Sequence, residues 1–409
     1  MDSPFVSVTE AAVLLGVSTA TLRNWDRQGK LTARRHPINK YRMYARHELD
    51  ALAAQTSLFG PDLHPVPDRT VPDARAIRRL ISRLHNILRD NDSQSNIVLR
   101  FDEITKLIFS KVMSDRAAGA STSPLSRALG DVKAIRDYYA KLAEEYCTLI
   151  PVSFASLTCS DTSVRQCVDA LEMIDFSAAG FDVKGMAYEE VIRNTFDKSD
   201  HQQFFTPPQV TEFMVSACEP YLCGEICDPA CGTGGFLASI ARRNLPYETL
   251  TGMEIDERLA WVAGVNMLLH GAREITTLLL SEGGTLGRTA EAYFGRFNVI
   301  LTNPPFGSDL ADPDLLNRMK LGAGRPSRRR GILFIERCWD LLKPGGILGI
   351  IIEEGVLNLP HAEDVRNFIL RSFEVNAVIS LPECTFQPYA TVNASILLLR
   401  KRQLGSKAL

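Results

Sequence analysis

The sequence predicts a multidomain protein whose carboxyl-terminal half is an α/β fold built on a mostly parallel sheet. Three observations carry that prediction. From about residue 186, apolar strand-like runs alternate with helix-like segments. A glycine-rich loop sits directly between the first strand and the first helix of that region, where open α/β sheets bind ligands. The last two candidate strands are joined too closely for a parallel crossover, so they are expected to form an antiparallel hairpin.

At 409 residues the chain suits two or three domains. With 45% hydrophobic and 23% charged residues, it has the composition of a globular protein with sizeable cores. The formal net charge of −2 excludes a uniformly basic nucleic-acid binder, so any such surface must be a local patch. Nine cysteines form no CxxC pair. The spacing of Cys218, Cys223, Cys227 and Cys231 is not that of a zinc site, and buried free thiols are expected, with no metal. No signal peptide or bilayer-length apolar run is present, so a cytoplasmic location is expected and a membrane partner is not.

Residues 1–56 read as a small unit of their own. Thr9–Leu15 suits a short helix, Gly16-Val17 a turn, Ser18 an N-cap and Thr19–Gln28 a second helix, stopped by Gly29. This is a helix-turn-helix pattern. Extended stretches on either side of Pro37 suit a wing, and Ala45–Ala53 a third helix. Residues 57–75 carry Pro61, Pro65, Pro67 and Pro72 and read as a stiff linker. Residues 76–185 read as helical: Ile77, Leu80, Ile81, Leu84, Ile87 and Leu88 share one face at a 3.6-residue period, as do Phe101, Ile104, Leu107, Ile108 and Val112. Residues 186–409 form the α/β part. Its expected strands are Glu225–Pro229, Thr249–Ile255, Ile275–Leu280, Asn298–Thr302, Ile347–Ile352, Ala377–Leu381 and Ala394–Leu399. Its expected helices are Phe236–Arg243, Arg258–His270, Ile332–Leu342 and Ala362–Ser372.

Four segments carry chemistry. Asp228-Pro229-Ala230-Cys231-Gly232-Thr233-Gly234-Gly235-Phe236 places an acid and a flexible backbone at a strand end. The acid has the wrong charge for phosphate but suits a cationic or amino-bearing ligand. Glu254 ends the next strand, where a carboxylate can accept both hydroxyls of a ribose; a plain surface acid is the alternative. Asn303-Pro304-Pro305-Phe306 follows a buried strand. Its prolines fix a turn, the Asn303 oxygen and Pro304 carbonyl can accept from one planar amino group, and Phe306 offers a ring. Phe204-Phe205-Thr206-Pro207-Pro208 lies upstream and alone would be a turn and helix start.

Together these segments resemble the N6-adenine DNA methyltransferases, specifically the modification subunits of type I restriction systems. The resemblance covers roughly residues 76–402 and includes Arg100-Phe101-Asp102-Glu103-Ile104, Asn266-Met267-Leu268-Leu269-His270-Gly271 and Lys343-Pro344-Gly345-Gly346. It implies a Rossmann-like methyltransferase fold, S-adenosylmethionine as cofactor, methylation of a flipped-out adenine in double-stranded DNA, and a role in restriction-modification or phage defence. By position it assigns Thr206, Asp228, Ala230, Gly232 and Gly234 to the cofactor's methionine end, Glu254 to its ribose and Ile255 to its adenine, with Phe205 and Pro207 also among the cofactor-binding residues. Asn303, Pro304, Pro305 and Phe306 are assigned to catalysis and the target base, with Phe386 as a second aromatic contact to that base. An RNA or protein-glutamine methyltransferase and a non-enzymatic, cofactor-sensing regulator are the competing readings.

Two departures from the family stand out. Gly283-Gly284-Thr285-Leu286 has glycine where members place an acid for the cofactor's adenine, with Glu282 nearby. Few residues follow the final strand, where members carry a helical tail that engages a specificity subunit. A specificity subunit, or another defence-system subunit, is thus an open question as partner. Residues 1–56 resemble the winged helix-turn-helix of MerR-type regulators through Val8-Thr9-Glu10-Ala11-Ala12 and Thr21-Leu22-Arg23-Asn24-Trp25. Arg23, Asn24, Arg27, Arg35 and Arg42 are its expected DNA contacts; a protein-contact module is the alternative. Arg325, Arg328, Arg329 and Arg330 form a second basic stretch, expected at DNA phosphates or merely solvated.

Overall fold

The structure is a computed structural model. It describes residues 5–8, 11, 26, 31–35, 42–49, 74–92, 96–118, 123–174, 176, 206–280, 283–383, 385–386 and 393–403. The chain divides into two compact units, Met1–Thr70 with Glu172–Ile174, and Val71–Leu171 with Asp175–Leu409.

In the smaller unit, β1 (Phe5–Ser7), β2 (Arg34–Arg35) and β3 (Arg42–Ala45) form an antiparallel sheet in the order β1-β3-β2. The wing hairpin is therefore β2 and β3, and β1, too short to leave a periodic signal, adds a third strand. Val6, Ala11, Leu31, Tyr44 and Leu49 make its core. Helix continues directly from β3 over residues 46–49. Most of the expected first two helices lies outside the described residues, as do Arg23, Asn24 and Arg27.

The larger unit begins with α1 (Ala74–Asp92), α2 (Ile97–Ala118), α3 (Val132–Glu145) and α4 (Asp161–Glu172). Phe101, Ile104, Leu107, Ile108 and Val112 are buried as their period requires, but α2 is not one-sided. Asp102, Glu103, Lys106, Lys111 and Asp115 are buried too. Glu103 pairs with Lys106 at 2.6 Å and Lys111 with Asp115 at 2.8 Å, which makes burial of those charges tolerable.

Then come α5 (Pro208–Cys218), β4 (Glu225–Asp228), α6 (Gly235–Arg242), β5 (Thr249–Glu254), α7 (Glu257–Leu269), β6 (Ile275–Leu279) and β7 (Phe297–Thr302). A small ribbon of β8 (Asp309–Leu310) and β9 (Arg328–Arg329) precedes α8 (Arg330–Leu341), β10 (Leu342–Glu353), α9 (Glu363–Ser372), β11 (Phe373–Ser380) and β12 (Ala394–Lys401). The sheet order is β11-β12-β10-β7-β4-β5-β6. All pairs are parallel except those of β12, which runs antiparallel to β10 and β11. Every expected strand and helix of this part is present, with ends shifted by a few residues.

Both faces of the central strands are covered, so β7 and β10 are apolar and buried along most of their length, whereas β6 and β11 at the sheet edges keep exposed positions. On β7, Ile300 faces a core that includes Leu333 and Ile335 of α8; Val299 and Leu301 face one that includes Met214 of α5 and Leu237 of α6. β10 alternates likewise, with Leu348, Ile350 and Ile352 on the first face and Ile347 and Ile351 on the second. Among the described residues no helix is long and apolar enough to cross a membrane. Leu301 is fully buried two residues before Asn303. Leu301→Ala is expected to cost about 2–5 kcal/mol, read as a lower denaturation midpoint with an unchanged slope.

Candidate active site

The order of the sheet reverses between β4 and β7, and the crevice at such a switch point is where an open α/β sheet takes ligands. Asn303, Asp228 and Glu254 stand at or just past the carboxyl ends of β7, β4 and β5, three neighbouring strands. A cavity of about 540 Å³ opens there. Thr206, Pro207, Asp228, Ala230, Gly232, Glu254, Ile255, Asn303, Pro305 and Arg330 all line it. Phe205 lies outside the described residues.

The glycine loop turns from β4 into α6 with Gly232 at φ 52° and Gly234 at φ 79°. A Cβ on Gly234 would stand 3.1 Å from that of Ala263 on α7, so this turn needs glycine twice over. Asp228 is 2% exposed and accepts the Ala230 amide at 3.1 Å. Burial raises its pKa to about 7, against the lowering effect of the Thr302 hydroxyl and the Ala230 amide; the charge of Glu254 pushes it further up.

Glu254 accepts three backbone amides: Gly232 at 3.0 Å on Oε2, and Ile255 at 2.8 Å and Asp256 at 3.0 Å on Oε1. Burial raises its pKa while these three bonds lower it. The carboxylate thus locks the glycine loop to β5, with about one of its four lone-pair sites left over.

Ile255 is 57% exposed in the cavity wall. Its neighbour explains the departure at Gly284. Gly283 and Gly284 adopt φ of 94° and 61°, and a Cβ on Gly284 would approach that of Ile255 at 3.3 Å. Gly283, Gly284, Thr285 and Leu286 line this part of the cavity, and Glu282 lies outside the described residues. Thr285 ties the segment to the loop by donating to the Pro229 carbonyl at 2.5 Å.

Asn303 Nδ2 donates to Thr206 Oγ1 at 3.1 Å, while its Oδ1 is buried with no hydrogen-bond partner. The Thr206 bond fixes which way the amide points. Gly307, at φ 70°, closes the turn, and its amide donates to Glu353 at the end of β10 at 2.8 Å. Phe306 is half-buried and meets Phe386 edge to face at 5.3 Å. Phe386 is 2% exposed, and both rings stand outside the lining of the cavity, so Phe386 supports Phe306 from behind.

The basic stretch divides. Arg328 is 7% exposed and bound to Asp364 at 2.7 Å, which Arg325 also reaches at 2.9 Å. The expectation that Arg328 meets DNA phosphate is corrected: burial and its acid partner remove it from the surface. Arg329 is exposed and bonds the Gly307 carbonyl; Arg330 alone of the four reaches the cavity. Arg42, in the smaller unit, pairs with Asp26 at 2.8 Å, so its charge is already matched.

Several contributors escaped sequence reasoning. Asn266 of α7 donates to the Thr233 carbonyl at 2.9 Å and keeps an unpartnered oxygen at the cavity. Glu212 lines the cavity, holding Ser239 at 2.7 Å and Arg242. Cys218, Cys227 and Cys231 are buried free thiols as expected, whereas Cys223 is exposed.

This sheet is that of the class I S-adenosylmethionine-dependent methyltransferase fold. The N-6 DNA methylase family matches residues 179–408, and the chain belongs to it. Residues 5–57 match a helix-turn-helix domain family. The EcoEI type I restriction enzyme methylase subunit of Escherichia coli is 28% identical over 256 residues, 59% of this chain and 51% of that protein. The EcoKI methylase subunit of E. coli K12 is 23% identical over 365 residues, 78% of this chain and 66% of that protein. The chain therefore spans about half to two-thirds of the length of these two relatives. The type I restriction-modification methyltransferase subunit from Streptococcus thermophilus superposes with a TM-score of 0.59 at 18% identity, covering 81% of this chain and 86% of that one.

The state of Asp228 is testable without ligand. Its folded pKa lies above the value of about 3.9 expected when unfolded, so its ionisation opposes folding increasingly as pH rises between those values. Asp228→Asn removes that penalty. By scanning calorimetry, its stability gain over wild type is expected to grow from pH 5 to 7 and level off above; a gain independent of pH contradicts the assignment.

Proposed function

We propose that the chain transfers a methyl group from S-adenosylmethionine to the N6 amino group of adenine in double-stranded DNA, within a restriction-modification or related defence system. The observation that carries this reading is the buried, unpartnered Oδ1 of Asn303 at the switch-point crevice. An unmet acceptor at such depth costs about 1–3 kcal/mol, and an incoming amino group satisfies it. The likeness of the chain to type I methylase subunits supports the same choice.

The residues present fit the cofactor. Asp228 and Glu254 at neighbouring strand ends suit a ligand bearing an ammonium and a ribose, Ile255 offers an apolar face to an adenine ring, and the backbone of Gly232 allows close approach, while Gly234 shapes the turn against α7 and does not line the cavity. When bound, S-adenosylmethionine supplies an electrophilic methyl group. Adenine N6 is a poor nucleophile because its lone pair is delocalised into the ring. Asn303 Oδ1 and the Pro304 carbonyl accept its two hydrogens and return density to nitrogen. Thr206 holds the Asn303 amide in the required orientation. The base is inaccessible in a stacked duplex and must swing out, with Phe306, backed by Phe386, as its stacking surface.

Asn303→Ala is expected to abolish adenine methylation while leaving cofactor affinity within about threefold, because Asn303 serves the base and not the cofactor. Methyl transfer from labelled cofactor and calorimetry read the two effects. Methylation near the wild-type rate would remove the mechanism, and methylation of RNA or glutamine alone would move the protein to another substrate class.

The helix-turn-helix unit is read as a DNA-binding element, with Arg35 and, outside the described residues, Arg23, Asn24 and Arg27 as its side chains; Arg330 at the cavity, with the exposed Arg325 and Arg329, is read as a second contact to DNA phosphate. Deleting residues 1–56 is expected to weaken DNA binding and to flatten its salt dependence by about 0.9 log units for each phosphate the unit neutralises. Cofactor affinity stays unchanged. Identical DNA affinity and slope in the truncated protein would assign the unit to a protein partner such as a specificity subunit.

A further inference from the structure

Asp102 and Glu103 line no part of the crevice, yet both are buried in the helical segment and hold partners far along the chain. Glu103 accepts Lys106 Nζ at 2.6 Å, the Thr158 hydroxyl and amide at 2.9 Å each, and the Cys159 amide at 3.1 Å. Lys106 also donates to the Ser156 carbonyl at 2.8 Å. These bonds pin the loop between α3 and α4. Tyr139 adds a bond to the Phe154 carbonyl at 2.7 Å.

The pinned loop presses on α7. The Phe154 ring stacks on Trp261 at 4.5 Å with an interplanar angle of 20°. Ser153 donates to Glu257 at 2.8 Å. Beside them, Asp102 takes Arg258 in a two-pronged pair, Nε to Oδ1 at 2.9 Å and Nη2 to Oδ2 at 3.1 Å, and the guanidinium lies 5.7 Å from the Phe154 ring centre. The helical segment thus grips the first turn of α7 at Glu257, Arg258 and Trp261.

That turn is continuous with the site. Asp256 caps α7 by accepting the Leu259 amide at 3.0 Å, and the Ile255 and Asp256 amides are two of the three donors that hold the Glu254 carboxylate. A shift of the first turn of α7 moves those amides and, through Glu254, the Gly232 amide as well.

We propose that Asp102 and Arg258 are positioning residues for the cofactor's ribose: their pair fixes the start of α7, and with it the amide cage that aims Glu254. The proposal rests on the reading of Glu254 as the ribose acid. Bidentate pairing defines direction as well as distance, which an uncharged or single-pronged contact does not. A pair that served stability alone would leave affinity for a small ligand untouched.

The test uses the full chain, with S-adenosylmethionine binding measured by calorimetry and methyl transfer under steady state. Asp102→Asn and Arg258→Gln are each expected to weaken cofactor binding about tenfold, and the double variant no more than either alone. KM for the cofactor rises in parallel, while kcat at saturating cofactor and KM for DNA stay within about twofold. Arg258→Lys keeps the charge but loses the fork, and is expected to lose about threefold. It also serves if Asp102→Asn does not fold. Cofactor affinity unchanged in Arg258→Lys and Arg258→Gln, with only thermal stability lowered, overturns the proposal. Glu254→Ala separates the two readings: if it too leaves affinity unchanged, the ribose assignment has failed, whereas if it alone weakens binding, only the bracket has.

Discussion

The parallel pairing of β4 with β7 is the constraint on which the site depends. Ile226 lies opposite Val299 and Cys227 opposite Ile300, and all four side chains are buried. With both faces of the sheet covered, a slip of one residue would exchange every side chain between two different cores. The register therefore cannot drift, and Asp228 and Asn303 must leave the sheet side by side. The reversal of strand order at this pair opens the crevice above them. Neither residue needs a dedicated scaffold, because the cores on either side of the sheet hold both.

Within that crevice the polar groups are set against burial. Desolvation raises the Asp228 carboxyl to about 7, burial raises Glu254 against the pull of three amides, and Asn303 keeps an unsatisfied oxygen. Each is less comfortable here than in water, and each is relieved by a partner of the right kind: a cation, a ribose, an amino group. Stored discomfort of this sort at a ligand crevice favours binding, since the protein has already borne the desolvation. The groups are kept in place by neighbouring side chains: Thr206 on Asn303, Glu353 on the Gly307 turn and Thr285 on Pro229.

Much of this was legible in the sequence for a physical reason. Buried parallel strands carry short apolar runs, as Val299, Ile300 and Leu301 do, and Glu225–Asp228 and Phe297–Thr302 are each followed at once by turn-forming residues. Those junctions also hold the chemistry, so locating the strands located Asp228, Glu254 and Asn303. Contacts distant in sequence were not legible. Arg328 reads as a phosphate ligand until Asp364 folds against it, and α2 reads as one-sided until Lys106 and Glu103 find each other within the core. Phe386 reads as a contact for a base, but its burial makes it the support of Phe306. The glycine at Gly284 reads as a missing acid, whereas its positive φ strains any side chain there and Ile255 crowds the Cβ position.

The central claim is that Asn303 Oδ1 is kept open for the amino group of adenine. A structure of the chain with a cofactor analogue and adenine-containing DNA tests it most directly. The account predicts adenine N6 at about 2.7–3.2 Å from Asn303 Oδ1, with Thr206 still holding Nδ2. A flipped base whose amino group meets other acceptors, leaving Oδ1 as unpartnered as it is here, would contradict it.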